Sequence, residues 1–76
     1  MMRSDFFKTN LTKSNLQGSN LVEVNFNQTV LIGAKLQGTN LNNTNFEKAR
    51  VTAAYLIGAS LVKARLNNAD FRGADM

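Results

Sequence analysis

A chain of seventy-six residues makes one domain, and at that size only about 60% of the surface exposed on unfolding is buried, so a conventional two-layer core would be marginal. Neither Cys nor His occurs, which removes disulfides and the usual zinc and iron ligand sets, and a net charge of +4 comes from nine Lys and Arg scattered against five Asp and Glu. No apolar run approaches the ~18 residues needed to span a membrane and the opening residues lack the apolar stretch of a secretory signal, so a cytoplasmic chain without membrane contact is expected.

Residues 1–3 read as a lead-in, and a unit of five begins at Ser4. Residues 4–23 set Phe6, Leu11, Leu16 and Leu21 five apart, each two places after a small residue (Ser4, Thr9, Ser14, Ser19), with Asp5, Asn10, Asn15 and Asn20 between. Residues 24–43 repeat the scheme with Phe26, Leu31, Leu36 and Leu41, but the middle column now reads Asn25, Val30, Lys35 and Asn40. Residues 44–63 place Phe46, Val51, Leu56 and Leu61 in the large column and Asn45, Arg50, Tyr55 and Ser60 in the middle. The remaining residues carry Leu66, Phe71 and Met76, with Arg65, Asp70 and Asp75 in the middle column and Ala64, Ala69 and Ala74 in the small one.

A period of five fits neither regular element. On a helix, at 100° per residue, successive large side chains would step by about 140° and smear round the cylinder. On a flat strand an odd period throws them to alternate faces. The period works if the chain turns a corner in every unit, so that the large residue and the small one before it share an interior. Four sides then close a coil of twenty residues, and the next coil stacks on it at about 4.8 Å through backbone hydrogen bonds. The echo of "SNLQGSNL" (14–21) in "AKLQGTNL" (34–41) is one such coil.

This pattern resembles that of the pentapeptide-repeat proteins: a small residue, Asp or Asn, Leu or Phe, then two variable residues, held in register from residue 4 to 76. The resemblance implies an all-β fold, a right-handed quadrilateral β-helix (solenoid) of about fifteen repeats, just under four coils, forming a single domain over 4–76. The large column would be its core rungs. Val30, Lys35, Arg50, Tyr55, Ser60 and Arg65 depart from the Asp/Asn column, on the outward side.

If each large residue opens a four-residue turn, the third turn position needs φ > 0 in type II geometry. Gly18, Gly38 and Gly58 fall there on one corner, Gly33 and Gly73 on a neighbouring one, and Asn43 and Asn68 elsewhere. Lys8, Lys13, Glu23, Gln28, Lys48, Ala53 and Lys63 occupy the equivalent slots and are expected to use another turn. The small column is mostly Ser and Thr before residue 45 and Ala from Ala49 onward, so buried hydroxyls should bond to backbone only in the earlier coils.

Catalysis finds little support. The five acids, Asp5, Glu23, Glu47, Asp70 and Asp75, lie mostly on outward positions of a convex rod, where nothing pairs them as acid and base, and a nucleophile would lack an activating partner. The glycines form neither phosphate-binding motif. No cofactor and no small-molecule substrate are expected. What remains is surface: Val30 and Ile32 on one side, Tyr55 and Ile57 on the next, with Arg50 and Arg65 breaking the polar column, form the candidate interaction surface for a protein partner. Nucleic acid is a poor fit, because only Phe7 and Tyr55 could stack a base. Phe71 and Met76, at the open C-terminal coil, are candidates for an end-on dimer, an association the resemblance also suggests, while the stop in mid-unit suggests instead a fragment of a longer solenoid. A non-enzymatic interaction or scaffolding module is the first reading. The family's mimicry of DNA against gyrase, which confers quinolone resistance, is the second, and it would need strongly negative faces; a basic nucleic-acid binder is third.

Overall fold

A computed structural model describes residues 4–75. Each unit of five contributes one extended residue, the one in the Asp/Asn column, and it pairs in parallel with the residue twenty further on: Asp5 with Asn25, Asn10 with Val30, Asn15 with Lys35, Asn20 with Asn40, and onward to Tyr55 with Asp75. Twenty residues therefore carry the chain once round. Four faces result: the first through Asp5, Asn25, Asn45 and Arg65, the second through Asn10, Val30, Arg50 and Asp70, the third through Asn15, Lys35, Tyr55 and Asp75, and the fourth through Asn20, Asn40 and Ser60.

Every pairing uses two backbone bonds. At the first, the N–H of Asn25 donates to the Ser4 carbonyl (2.9 Å) and the N–H of Phe6 donates to the Asn25 carbonyl (2.8 Å). Each corner is closed by the first residue of the next unit, as where the N–H of Thr9 donates to the Phe6 carbonyl (2.9 Å).

The corners differ from the sequence expectation. Lys8, Lys13, Glu23, Gln28, Lys48, Ala53 and Lys63 do not adopt another turn; all have φ between 57° and 62°, beside Gly18, Gly33, Gly38, Gly58 and Gly73 at 67–77°. The cause lies between coils. With φ > 0 at the third position alone, as in a type II turn, the peptide joining the second and third residues stands along the stack. The carbonyl of Thr52 then accepts from Gly33 in the coil before (3.0 Å), and the N–H of Ala53 donates to Arg72 in the coil after (3.0 Å). Reversing that peptide would break two bonds, each worth ~0.5–1.5 kcal/mol net, and leave their partners unmet. That outweighs the roughly 1–2 kcal/mol an L-residue gives up in the left-handed region. Stacking, not local preference, sets the turn.

The interior follows from the same register. Phe26 and Phe46, Leu21, Leu31, Leu36, Leu41 and Val51 are fully buried, and Leu56 nearly so, because the middle coils are covered on both sides. Phe6, Leu11, Leu16, Leu61 and Phe71 pack against them partly buried. Phe6, Phe26 and Phe46 stack nearly parallel with ring centroids 5.5 and 5.0 Å apart. Leu66 follows Phe46 in register through the pairing of Asn45 with Arg65. Phe71 from the neighbouring side meets Phe46 edge-on at 5.8 Å, and Leu66 is 44% exposed. Met76 lies outside the described residues. In the small column, the hydroxyls of Thr29, Thr39 and Thr44 are buried and donate to the carbonyls of Phe6 (2.6 Å), Leu36 (2.8 Å) and Leu41 (2.7 Å). These bonds sit in the middle of the stack, where buried hydroxyls have no water to turn to.

Candidate interaction surface

The Asp/Asn column has a local task. Its side-chain oxygen accepts the N–H two residues on, which is the second residue of the following turn: Asp5 takes that of Phe7 (3.0 Å), Asn10 of Thr12 (3.0 Å), Asn25 of Asn27 (2.9 Å), Asn40 of Asn42 (3.1 Å), Asn45 of Glu47 (2.9 Å) and Asp70 of Arg72 (3.1 Å). This N–H has no backbone acceptor in the neighbouring coils, so a side-chain oxygen has to meet it.

Where the column is broken, that acceptor is missing. Among the described residues, the N–H groups of Ile32, Gln37, Thr52 and Ile57, which follow Val30, Lys35, Arg50 and Tyr55, have no acceptor, and the same holds for Asn67 after Arg65. Ser60 is different. Oδ1 of Asn42, one coil earlier, accepts both the Ser60 hydroxyl (2.6 Å) and the N–H of Val62 (2.9 Å), so that corner is repaired from next door. The open donors therefore gather on the second and third faces of the middle coils.

The predicted surface residues fall as follows. Val30 and Ile32 are half-buried, on the second face and the corner after it. Tyr55 and Ile57 are 43% and 56% exposed, on the third face and its far corner. Arg50 is exposed on the second face, between Val30 and Asp70. Arg65 is exposed but lies on the first face, 3.9 Å from Glu47, away from the other five. Phe71 is partly buried inside the last coil. The open N–H groups were not foreseen from sequence; their signal is the substitution of Asp or Asn at Val30, Lys35, Arg50 and Tyr55.

Electrostatics sharpen the picture. Arg72 grips Asp70 through Nε (3.0 Å to Oδ1) and Nη2 (2.7 Å to Oδ2). That side-chain bond first, and the Arg72 backbone N–H second, hold the Asp70 carboxyl below its ordinary value of 3.8, while the carboxylate raises the Arg72 guanidinium. Because the folded value is depressed, the pair's contribution is present above pH 3.8 and is lost as pH falls through that depressed value. Arg72 is thus occupied. Lys35 and Arg50 make no direct ion pair among the described residues; each shares its face with one acid, Asp75 and Asp70 respectively, and Asp70 also feels the Arg50 charge through space.

Nothing here assembles a reaction centre. Among the described residues there is no group of three His, Cys, Asp or Glu able to hold a metal, no pocket opens into the coil, and no helix is long and apolar enough to cross a membrane.

Comparison with known proteins agrees with this architecture. The family model for pentapeptide repeats matches residues 9–47 and 49–76 in eight copies. Among solved structures, HetL of the cyanobacterium Nostoc, a pentapeptide repeat protein involved in heterocyst differentiation regulation, superposes with a TM-score of 0.90 at 36% identity. The match covers 92% of this chain and 33% of HetL. A second Nostoc pentapeptide repeat protein matches at 32% identity and a TM-score of 0.59, over 95% of this chain and 64% of its own. One from the cyanobacterium Cyanothece, at 23% identity and a TM-score of 0.60 over 99% of this chain and 58% of its own, shares the fold. The chain thus spans less than two thirds of each of these proteins. No curated protein sequence gives a significant match. These likenesses make the fold a right-handed β-helix.

Proposed function

The chain belongs to the pentapeptide-repeat family, and on that premise we propose that it is a non-enzymatic protein-interaction module, a rigid rod that offers its second and third faces to a protein partner. In this reading residues 4–76 are one domain of about fifteen pentads, just under four coils, working in the cytoplasm. The observation that carries it is the coincidence of open backbone donors at Ile32, Gln37, Thr52 and Ile57 with the apolar side chains of Val30, Ile32, Tyr55 and Ile57. Between residues 24 and 57 every backbone N–H except these four is hydrogen-bonded, so in the middle coils the donors are open only where the column is broken, and apolar surface beside open donors suits a docking partner. A regulatory role by contact accords with the involvement of HetL in regulating differentiation. Dispersed acids, the lack of His and Cys, and a convex surface support the absence of catalysis. Mimicry of DNA is not favoured on a chain of net charge +4. Self-association through Phe71 and Met76 belongs to the same proposal.

Site-specific photo-crosslinking in the native host tests it. A photoreactive phenylalanine at position 55 or 57 is expected to give a discrete heteromeric product, and at position 66 a product of twice the chain's mass. A residue placed at Lys63, on the fourth face's side, should give neither. A pattern independent of position would remove the surface reading, and a monomeric band at position 66 would remove the self-association.

A further inference from the structure

Faces of this coil are normally completed by the chain's own carboxamides and carboxylates. On the second face, Asn10 Oδ1 accepts the N–H of Thr12 at 3.0 Å at one end, and Asp70 Oδ1 accepts the N–H of Arg72 at 3.1 Å at the other. Between these two, Val30 and Arg50 offer no acceptor, and the N–H groups of Ile32 and Thr52 are open. The third face repeats the arrangement: Asn15 serves Gln17 (3.2 Å), while Lys35 and Tyr55 leave Gln37 and Ile57 open. On the first face the middle positions, Asn25 and Asn45, are filled.

We propose that the second and third faces bind an acidic peptide segment with interspersed apolar residues, whose Asp or Glu carboxylates supply from outside the acceptors that Val30, Lys35, Arg50 and Tyr55 withhold. This names the partner chemistry of the interaction surface and rests on that reading. The ligand type is fixed by the fold itself, since the same N–H position is met by a carboxylate or carboxamide oxygen wherever the chain supplies one. Charge then selects between the two. Arg50 and Lys35 stand on these faces without direct ion pairs among the described residues; Arg50 acts on Asp70 only through space, because the Asp70 carboxylate is bonded to Arg72, so an incoming carboxylate gains attraction that an amide does not. A purely apolar partner is disfavoured, because covering an N–H without accepting from it costs the full desolvation of the donor. Tyr55 and Ile57 favour a peptide over a nucleic acid: apolar side chains interleaved with the donors suit alternating acidic and apolar residues better than a continuous phosphate rail. Asp75, one coil beyond Tyr55, bounds the site on the C-terminal side.

Fluorescence anisotropy on the intact chain, with a labelled Asp-Leu-Asp-Tyr-Asp-Leu peptide, its Lys-for-Asp counterpart and a labelled single-stranded DNA, tests the proposal. The acidic peptide is expected to bind and the Lys peptide to bind about tenfold more weakly or worse. Val30→Asn with Arg50→Asn places acceptors in cis over Ile32 and Thr52, so this variant should lose about tenfold in peptide affinity while melting at a higher temperature than the parent. Val30→Ala, which leaves the donor open, should keep most of the binding. No binding of the acidic peptide, equal binding by the double variant, or displacement of the peptide by the DNA would overturn it. A discrete crosslink at position 55 without acidic-peptide binding leaves the interaction surface standing and removes only the acidic partner; loss of both removes the two together.

Discussion

Phe26→Ala is expected to cost about 3–5 kcal/mol, a large part of the roughly 4–11 kcal/mol available to a chain of this length, and to lower Tm by more than ~10 °C. Phe26 is fully buried and lies between two rings, Phe6 at 5.5 Å and Phe46 at 5.0 Å. In a stacked coil each layer touches only its neighbours, so the stability is close to a sum of layers and interfaces. Truncation at Phe26 injures two interfaces at once, and the layers cannot collapse into the cavity because their spacing is fixed by bonds such as Phe26 N–H to Asn45 (2.7 Å) and Phe6 N–H to Asn25 (2.8 Å). Leu66→Ala serves as the comparison. That residue occupies the next position in the same sequence column yet is 44% exposed, and its truncation should cost far less. Denaturant midpoints of the two variants make the check; equal losses would mean that burial does not set the cost.

Adjacent residues in one corner should respond to proline with opposite sign. Ala53 sits at φ 57° and its N–H donates to Arg72 at 3.0 Å, so Ala53→Pro forces φ to about −65°, removes the bond, and is expected to cost ~3 kcal/mol or more. Thr52 occupies the second turn position, where type II geometry already wants φ near −60°, and its N–H is among the open donors. Thr52→Pro keeps the carbonyl that accepts from Gly33 (3.0 Å), gives up no bond, and stiffens the unfolded chain, so a gain of about 0.4–1 kcal/mol is expected. The two variants should differ in Tm by more than ~10 °C. Similar destabilisation in both would show that the corner peptide does not stand along the stack.

How much of this was legible in the sequence depends on which forces act between coils. The five-residue period is readable because every layer must offer a large residue and a small one to the same interior, and Phe26, Leu31, Leu36 and Leu41 repeat Phe6, Leu11, Leu16 and Leu21 for that reason. The turns at Lys8, Lys13, Glu23 and Ala53 were not readable, because propensity describes a corner in isolation whereas the bonds to the coils above and below decide it. Leu66 keeps the register of its column, but its 44% exposure and the edge-on approach of Phe71 to Phe46 from the adjacent side were not readable. The breaks at Val30, Lys35, Arg50 and Tyr55 were visible as letters. What they imply, a missing acceptor over a particular N–H, needed the direction of that bond. Arg65 looked equivalent to Arg50 by the same reasoning, yet the fold turns it to another face beside Glu47.

Residue-resolved amide hydrogen exchange by NMR reads each backbone donor of the two faces separately. Slow exchange is expected at the stacked corner amides of Gly33, Gly38 and Ala53, intermediate exchange at the side-chain-held amides of Asn27, Asn42 and Glu47, and fast exchange at Ile32, Gln37, Thr52 and Ile57. Protection at these last four equal to that of Asn42 would contradict the proposed surface, because the donors on the second and third faces would then already be met.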